Sequence, residues 1–248
     1  MITRLEELGM NAWPAFQTLH VDGWVLRFAD GASHRANSIY PLYPSSYPSS
    51  LPVKEKIHFC EALYRARGLP PAFKLTERVF PPDLDTLLED LGYLTGYHIS
   101  VQTLELSGLK PVLSRDIQAQ PSVDEAWLEQ LFEFYSLDPQ KKSAYQKILD
   151  LIELPKSLVR LVLDGQVVGC GVGVLEDSYL GLFDIAVDKS FRNRGCGRII
   201  VDHLLAWGKG LGAQLAYLQV AKGNLAAVRL YEKRGFREAY QYWYRQIG

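Results

Sequence analysis

SFRNRGCGRII, residues 190–200, is the stretch on which the reading of this chain turns. Gly195 and Gly197 stand one residue apart, just where an apolar helical pattern begins. Glycine is among the poorest helix formers. Either the backbone must turn here or something must come very close to it. A strand that runs into glycines and then a helix makes a recurring anion site. The helix N-terminus offers unpaired N–H groups and a partial positive charge. Arg192, Arg194 and Arg198 surround the loop, and guanidinium suits phosphate oxygens by geometry and charge. A lone G-x-G with surface arginines is also compatible with a plain structural turn. Two familiar phosphate motifs do not fit. A dinucleotide fingerprint needs a third glycine where Ile200 stands, and no P-loop lysine and serine follow.

The bulk numbers narrow the field. The 248 residues allow two ordinary domains or one large one, and 48% hydrophobic with 22% charged residues is a globular composition with a core. A net charge of -1 lacks the basic surplus of a dedicated nucleic-acid or anionic-membrane binder. Cys60, Cys170 and Cys196 are odd in number and far apart, which predicts no disulfide framework and a cytoplasmic location. The N-terminus carries acidic residues and does not read as a signal peptide, and no run approaches a membrane span. The five histidines (His20, His34, His58, His98 and His203) show no metal-ligand spacing, so no metal is expected; His203 is placed on a helix surface. No G-x-S-x-G elbow occurs.

The second half reads clearly. PSVDEAWLEQLFEFY opens with Ser122 and has Glu125 three residues on, a capping-box signature. Asp164-Gly165 sits between two β-rich runs, a strong hairpin signal. YLGLFDIAV is a nearly apolar third strand. After the glycine loop come a helix, the strand AQLAYLQV, the short helix NLAAVRLYEKRGF with Asn224 at its cap, and the strand REAYQYWYRQI. In the first half, VKEKIHFCEALYRARGL, PAFKLTE, PPDLDTLLEDLGY and HISVQTLEL read as helix, strand, helix, strand. Gly68 and Gly210 are 142 residues apart, and Gly92 and Gly235 are 143 apart. The spacing predicts two copies of one α/β unit; chance recurrence of a common pattern is the rival. A hairpin around Asp30-Gly31 is expected earlier. The copies differ where chemistry would sit: SLPVKE replaces RNRGCG, and Leu88 stands where the second copy has Tyr231.

VDKSFRNRGCG matches V-x-x-x-x-R-x-x-G-x-G, and NLAAVRLYEKRGF matches N-x-x-A-x-x-L-Y-x-x-x-G-F without a gap. In this order and spacing the pair resembles the GNAT superfamily of acetyl-CoA-dependent N-acetyltransferases. The resemblance covers residues 122–248. The first half is similar to a degenerate copy, as in tandem-domain GNAT proteins. The resemblance implies an α/β (α+β) fold, with a mixed, mostly antiparallel central sheet flanked by helices. It further implies a degenerate domain over 1–110, a linker over 111–121 and a catalytic domain over 122–248.

It also implies acetyl transfer to an amine of a small molecule or peptide, by direct attack in a ternary complex. Acetyl-CoA is the expected cosubstrate. Its pyrophosphate would lie on the amides of Asn193, Arg194, Gly195, Cys196, Gly197 and Arg198, with Arg192 opening the motif or shaping the loop through a salt bridge. Its pantetheine would lie along the backbone of Ile185, Ala186 and Val187. Asn224 would cap its helix or bond the pantetheine. Tyr231 is the expected acid that protonates the leaving thiolate, or else a buried core tyrosine. Asp184, acidic within an apolar strand, is the best candidate to accept the amine's proton, or is satisfied by an arginine or backbone N–H groups. Cys196 is not expected to act covalently. YPLYPSSYPSS and RANSIY are candidates for the acceptor side. The aromatic C-terminus is a core strand or a dimer contact, so a homodimer is possible. A non-catalytic acetyl-CoA or CoA-binding module, or transfer of a longer acyl group, are the alternatives.

Overall fold

The computed structural model describes residues 1–45 and 52–247; part of YPLYPSSYPSS and of SLPVKE, and Gly248, lie outside them. Helix α1 (Ile2–Asn11) leads into β1 (Gln17–Val21), β2 (Trp24–Phe28) and β3 (Ile39–Tyr40). There follow α2 (Val53–Arg65), β4 (Ala72–Thr76), α3 (Leu84–Asp90) and β5 (Leu94–Glu105). The second half runs β6 (Ile117–Gln120), α4 (Glu125–Tyr135), α5 (Lys142–Asp150), β7 (Lys156–Leu163), β8 (Gln166–Glu176) and β9 (Tyr179–Val187). It ends with α6 (Cys196–Gly210), β10 (Leu215–Ala221), α7 (Leu225–Arg234) and β11 (Arg237–Gln246).

All these strands form one mixed, mostly antiparallel sheet in the order β1-β2-β3-β4-β11-β5-β10-β9-β8-β7-β6. Helix–strand–helix–strand recurs as α2-β4-α3-β5 and α6-β10-α7-β11. The two units meet at the centre by exchanging their last strands. β5, from the first half, pairs antiparallel with β10, and β11, from the second, pairs antiparallel with β4. β5 and β11 pair with each other between them. One sheet therefore serves both halves.

Strand β11 shows why the sequence tolerates this. Tyr240, Tyr242 and Tyr244 share one face by the period-two rule and enter a core with α1, α4 and α5. Trp243 and Arg245 point the other way and bond Asp85 on α3 at 2.9 and 2.7 Å. Both faces are covered, so the aromatic C-terminus is a central core strand. A fully buried ion pair, Lys74 to Glu6 at 2.6 Å, joins β4 to α1 beside it.

Several local expectations are corrected. Helix α4 is capped by Asp124, whose Oδ1 accepts from Trp127 N at 2.6 Å, and not by a Ser122–Glu125 box. The tight first-half hairpin turns at Asp22-Gly23, where Val21 faces Trp24. Asp30-Gly31 opens a longer connection containing a 3₁₀ turn, His34–Ala36. His203 is buried, and its Nδ1 accepts from Ser114 N at 3.2 Å. Apart from these corrections, the expected linker 111–121 includes strand β6, which pairs with β7 at the sheet edge.

Candidate functional site

Parallel strands β9 and β10 pair only from Tyr179/Leu215 to Leu182/Leu218. Beyond that point they diverge, and a slot opens between residues 183–187 and 219–221. A bulge on β9 begins at the same place. Opposite the single residue Gly171 stand Asp184 and Ile185, and the register shifts. A Cβ at 171 would lie 2.7 Å from Ile185 Cδ1 and 2.9 Å from Ile200 Cγ2, so a larger residue there would push those side chains aside. Asp184 adopts φ +50°, out of the strand's alternation.

The slot leads to the glycine loop. Gly195 has φ +84° and sits at the N-cap of α6, so its glycine is needed for the turn. Gly197 packs closely on α7: a Cβ there would lie 3.1 Å from Leu230 Cδ2, which would have to give by a few tenths of an ångström. Among the described residues, no close and well-aligned backbone carbonyl accepts from the N–H groups of residues 192–198. The loop and helix start therefore present a run of free amides at the positive end of a helix. Arg192, Arg194 and Arg198 are exposed around it. Arg192 makes no salt bridge among the described residues; its Nε donates to Val187 O at 3.2 Å. Arg194 lies 5.4 Å from the Phe191 ring, and Arg198 is 3.4 Å from Asp202. Asn193 has φ +60°. Cys196 is buried, and burial raises its thiol's pKa, which argues against a thiolate.

At the inner end of the slot is a cavity of about 300 Å³, lined by Asp184, Ile185 and Tyr231 together with Ser33, His34 and Arg35 of the first half. Tyr231 is buried, its ring packed on Phe236 at 5.8 Å. Its hydroxyl has no hydrogen-bond partner among the described residues, and burial and then the charge of Asp184 push its pKa up. Asp184 Oδ1 is 3.4 Å from Arg35 Nη2, and Oδ2 is buried with no partner among the described residues. Burial raises the Asp184 pKa; Arg35 pulls the other way. One oxygen of Asp184 thus meets an arginine, and the other meets no partner among the described residues. Ile185 O accepts from the Tyr135 hydroxyl at 3.0 Å, while Ala186 and Val187 pair with Cys170 and Gly169 of β8. Asn224 caps α7 through Ala227 N at 3.2 Å.

Of the acceptor-side candidates, RANSIY does reach the cavity, through Arg35. Sequence reasoning missed Tyr97, Tyr135, Tyr145, Tyr242 and Tyr244, which also line it. The period-two tyrosines of β11 were the available signal for the last two. Arg35 stands 149 residues from Asp184, and nothing in the sequence marks their contact. Among the described residues no group of metal-ligating side chains gathers, and no helix is long and apolar enough to cross a membrane.

A family described as the C-terminal region of the probable histone acetyltransferase Rv0428c matches residues 1–245. The chain is 27% identical over 254 residues to the uncharacterized N-acetyltransferase YobR of Bacillus subtilis, covering 98% of both chains. A GCN5-related N-acetyltransferase from Kribbella flavida superposes with a TM-score of 0.71 at 16% identity, over 99% of this chain and 95% of that one. A tandem GNAT protein from the clavulanic acid biosynthesis pathway gives 0.66 at 12% identity, over 98% and 88%. The chain belongs to the Rv0428c C-terminal acetyltransferase family and is an acyltransferase of the tandem GNAT fold.

Proposed function

We propose that this acyltransferase moves an acetyl group from acetyl-CoA to an amine of a small molecule or peptide, by direct attack with both substrates bound. The free amides of residues 192–198 suit a pyrophosphate, and the slot between β9 and β10 suits an extended arm. Asn193 through Arg198 and the backbone of residues 185–187 would hold the donor, and Asn224 would bond its arm from the start of α7. When bound, acetyl-CoA supplies an activated acyl carbon and a thiolate leaving group.

The chain's own part is proton traffic. A protonated amine must lose a proton before it attacks, and Asp184, whose buried Oδ2 has no partner among the described residues, would accept it. The leaving sulfur must gain one, and the Tyr231 hydroxyl, which has no hydrogen-bond partner among the described residues and lines the same cavity, would donate it. The observation that carries the reading is the convergence of these two groups on one cavity at the inner end of the slot. Three free cysteines, all buried, suit a reducing compartment, so the cytoplasm is the proposed location.

The test is release of free CoA thiol from acetyl-CoA with a broad amine panel, alongside thermal stabilisation by acetyl-CoA. Amine-dependent release that collapses in Tyr231→Phe supports the reading. Stabilisation without release across the panel points to a binding module. Absence of both stabilisation at millimolar acetyl-CoA and release refutes it.

A further inference from the structure

The cavity contains one guanidinium, that of Arg35. It is stacked over the Trp13 ring at 4.5 Å and near the Phe183 ring at 5.5 Å, so its position is held by the rings. Only Nη2 is bonded, to Asp184 Oδ1 at 3.4 Å. Nε and Nη1 have no acceptor among the described residues, yet neither is sealed off as a buried orphan. Arg35 is one of the residues that line the cavity. Arg27, close by, is the contrast. Its guanidinium is taken up by the carbonyls of Arg35, Met10 and Trp13 and the Tyr40 hydroxyl. Arg245 is likewise spent on Asp85, Glu89 and Tyr93 O. A planar, stacked guanidinium with donors to spare is the geometry that recognises a carboxylate.

Its position relative to Asp184 narrows the ligand further. The spare donors of Arg35 and the buried Oδ2 of Asp184, which has no partner among the described residues, belong to two side chains that touch and that both line the cavity. A ligand that satisfies both must carry its negative and positive charges equally close together. In an α-amino acid the nitrogen and the carboxylate share one carbon. A protein lysine would bring only its cation, beside another cation. A peptide N-terminus would bring a neutral amide to Arg35. The tyrosine walls Tyr97, Tyr145, Tyr242 and Tyr244 leave an aromatic surround for a side chain.

From this we infer that the acceptor is the α-amino group of a free amino acid with an apolar or aromatic side chain, its carboxylate held by Arg35. This rests on the acetyltransferase reading above and adds the acceptor to it. Arg35 is then a binding residue supplied by the first half.

The experiment uses matched sets on the full chain: L-phenylalanine, L-phenylalaninamide and phenethylamine; L-leucine, L-leucinamide and isopentylamine; and a peptide with one internal lysine and a blocked N-terminus. CoA release gives kcat/KM, and calorimetry with CoA present measures binding of the free acids without turnover. The expected result is a free-acid preference of at least about 10-fold over amide, amine and peptide, from loss of a charge-assisted pair. Arg35→Met should abolish that preference and weaken calorimetric binding of the acid by about 10-fold or more. Arg35→Lys should restore part of both. Comparing acid with amine inside each variant cancels any shared loss from the altered Asp184 environment. Amides, amines or the peptide reacting as well as the acids overturn the inference and leave the acetyltransferase reading standing. So does a variant that loses acid and amine alike, or equal calorimetric binding of acid and amide. Absence of both acetyl-CoA stabilisation and CoA release removes the underlying reading as well.

Discussion

Lys74→Met should unfold the protein more easily than any surface change, and the structure says by how much. Lys74 and Glu6 have side chains 2% and 1% exposed and lie 2.6 Å apart. Glu6 also accepts from the Tyr240 hydroxyl at 2.7 Å, and the Lys74 ammonium stands 3.7 Å above the Tyr242 ring. Removing one partner of such a pair leaves a buried charge and costs about 3–5 kcal/mol. The remaining Tyr240 bond softens the loss for Glu6, so Lys74→Met belongs near the lower figure, about 3 kcal/mol. Glu6→Gln should cost about the same, because the rings of Tyr242 and Tyr40 partly shelter the stranded ammonium. For a chain of this size each kcal/mol is worth roughly 2–4 °C of Tm. The double variant Glu6→Gln/Lys74→Met strands no charge, and its glutamine can still accept from Tyr240. It should lose only about 1–2 kcal/mol, far less than the two single losses together. Urea denaturation of the four proteins measures the coupling. Losses additive to within about 0.5 kcal/mol would refute the claim that this pair acts as one unit.

Three further outcomes follow from the site. Tyr231→Phe should lower kcat by roughly 10²-fold or more while the KM for acetyl-CoA changes little, read by steady-state kinetics. The Asp184 pKa is raised by burial, so kcat/KM for the acceptor should fall as pH drops through that raised value, and Asp184→Asn should erase the limb. Between the unfolded carboxyl value, about 3.9, and the raised folded value, the native state holds the extra proton. Stability should therefore fall as pH rises through that window, and in Asp184→Asn it should not. Gly195→Ala meets no atom within 4 Å but forces alanine to φ +84°, a strain of about 1–2 kcal/mol. Gly68→Ala, at φ +65° and also in open space, should cost a similar amount. Only the Gly195 variant should weaken acetyl-CoA affinity by isothermal titration.

Local chemistry was legible and distant pairing was not. The terminal glycines Gly68, Gly92 and Gly235 announce themselves because each takes a positive φ that few other residues tolerate. Asp184 stood out as one charge in an apolar strand. Its bulge did not, because the two-against-one count that turns its carboxylate depends on Gly171 in the neighbouring strand. The exchange of β5 and β11 was equally silent. Alternation says which residues share a face, and says nothing about which strand lies alongside. Asp124 outcompeted Ser122 as the α4 cap, and it also pairs with Arg160 of β7, a contact no local pattern contains. His203 misled for the same reason, since its partner Ser114 lies on a distant loop.

The exchange explains what the first half contributes after losing its own glycine loop and tyrosine. Leu88, at the position of Tyr231, is wholly buried among α2, α3 and β4 side chains, so that copy has become packing. Yet its last strand, β5, runs against seven residues of β10 and closes the edge beside which the slot opens. In return β11 crosses to the far side, bringing Tyr242 and Tyr244 into the cavity wall next to Arg35. On the proposed reading, donor loop and phenol come from one half, and the cation of the acceptor cavity comes from the other. Separating the halves would strip β10 and β4 of their neighbours and take Arg35 from Asp184 in one step. For that reason the proposed acceptor site, unlike the glycine loop, needs both halves.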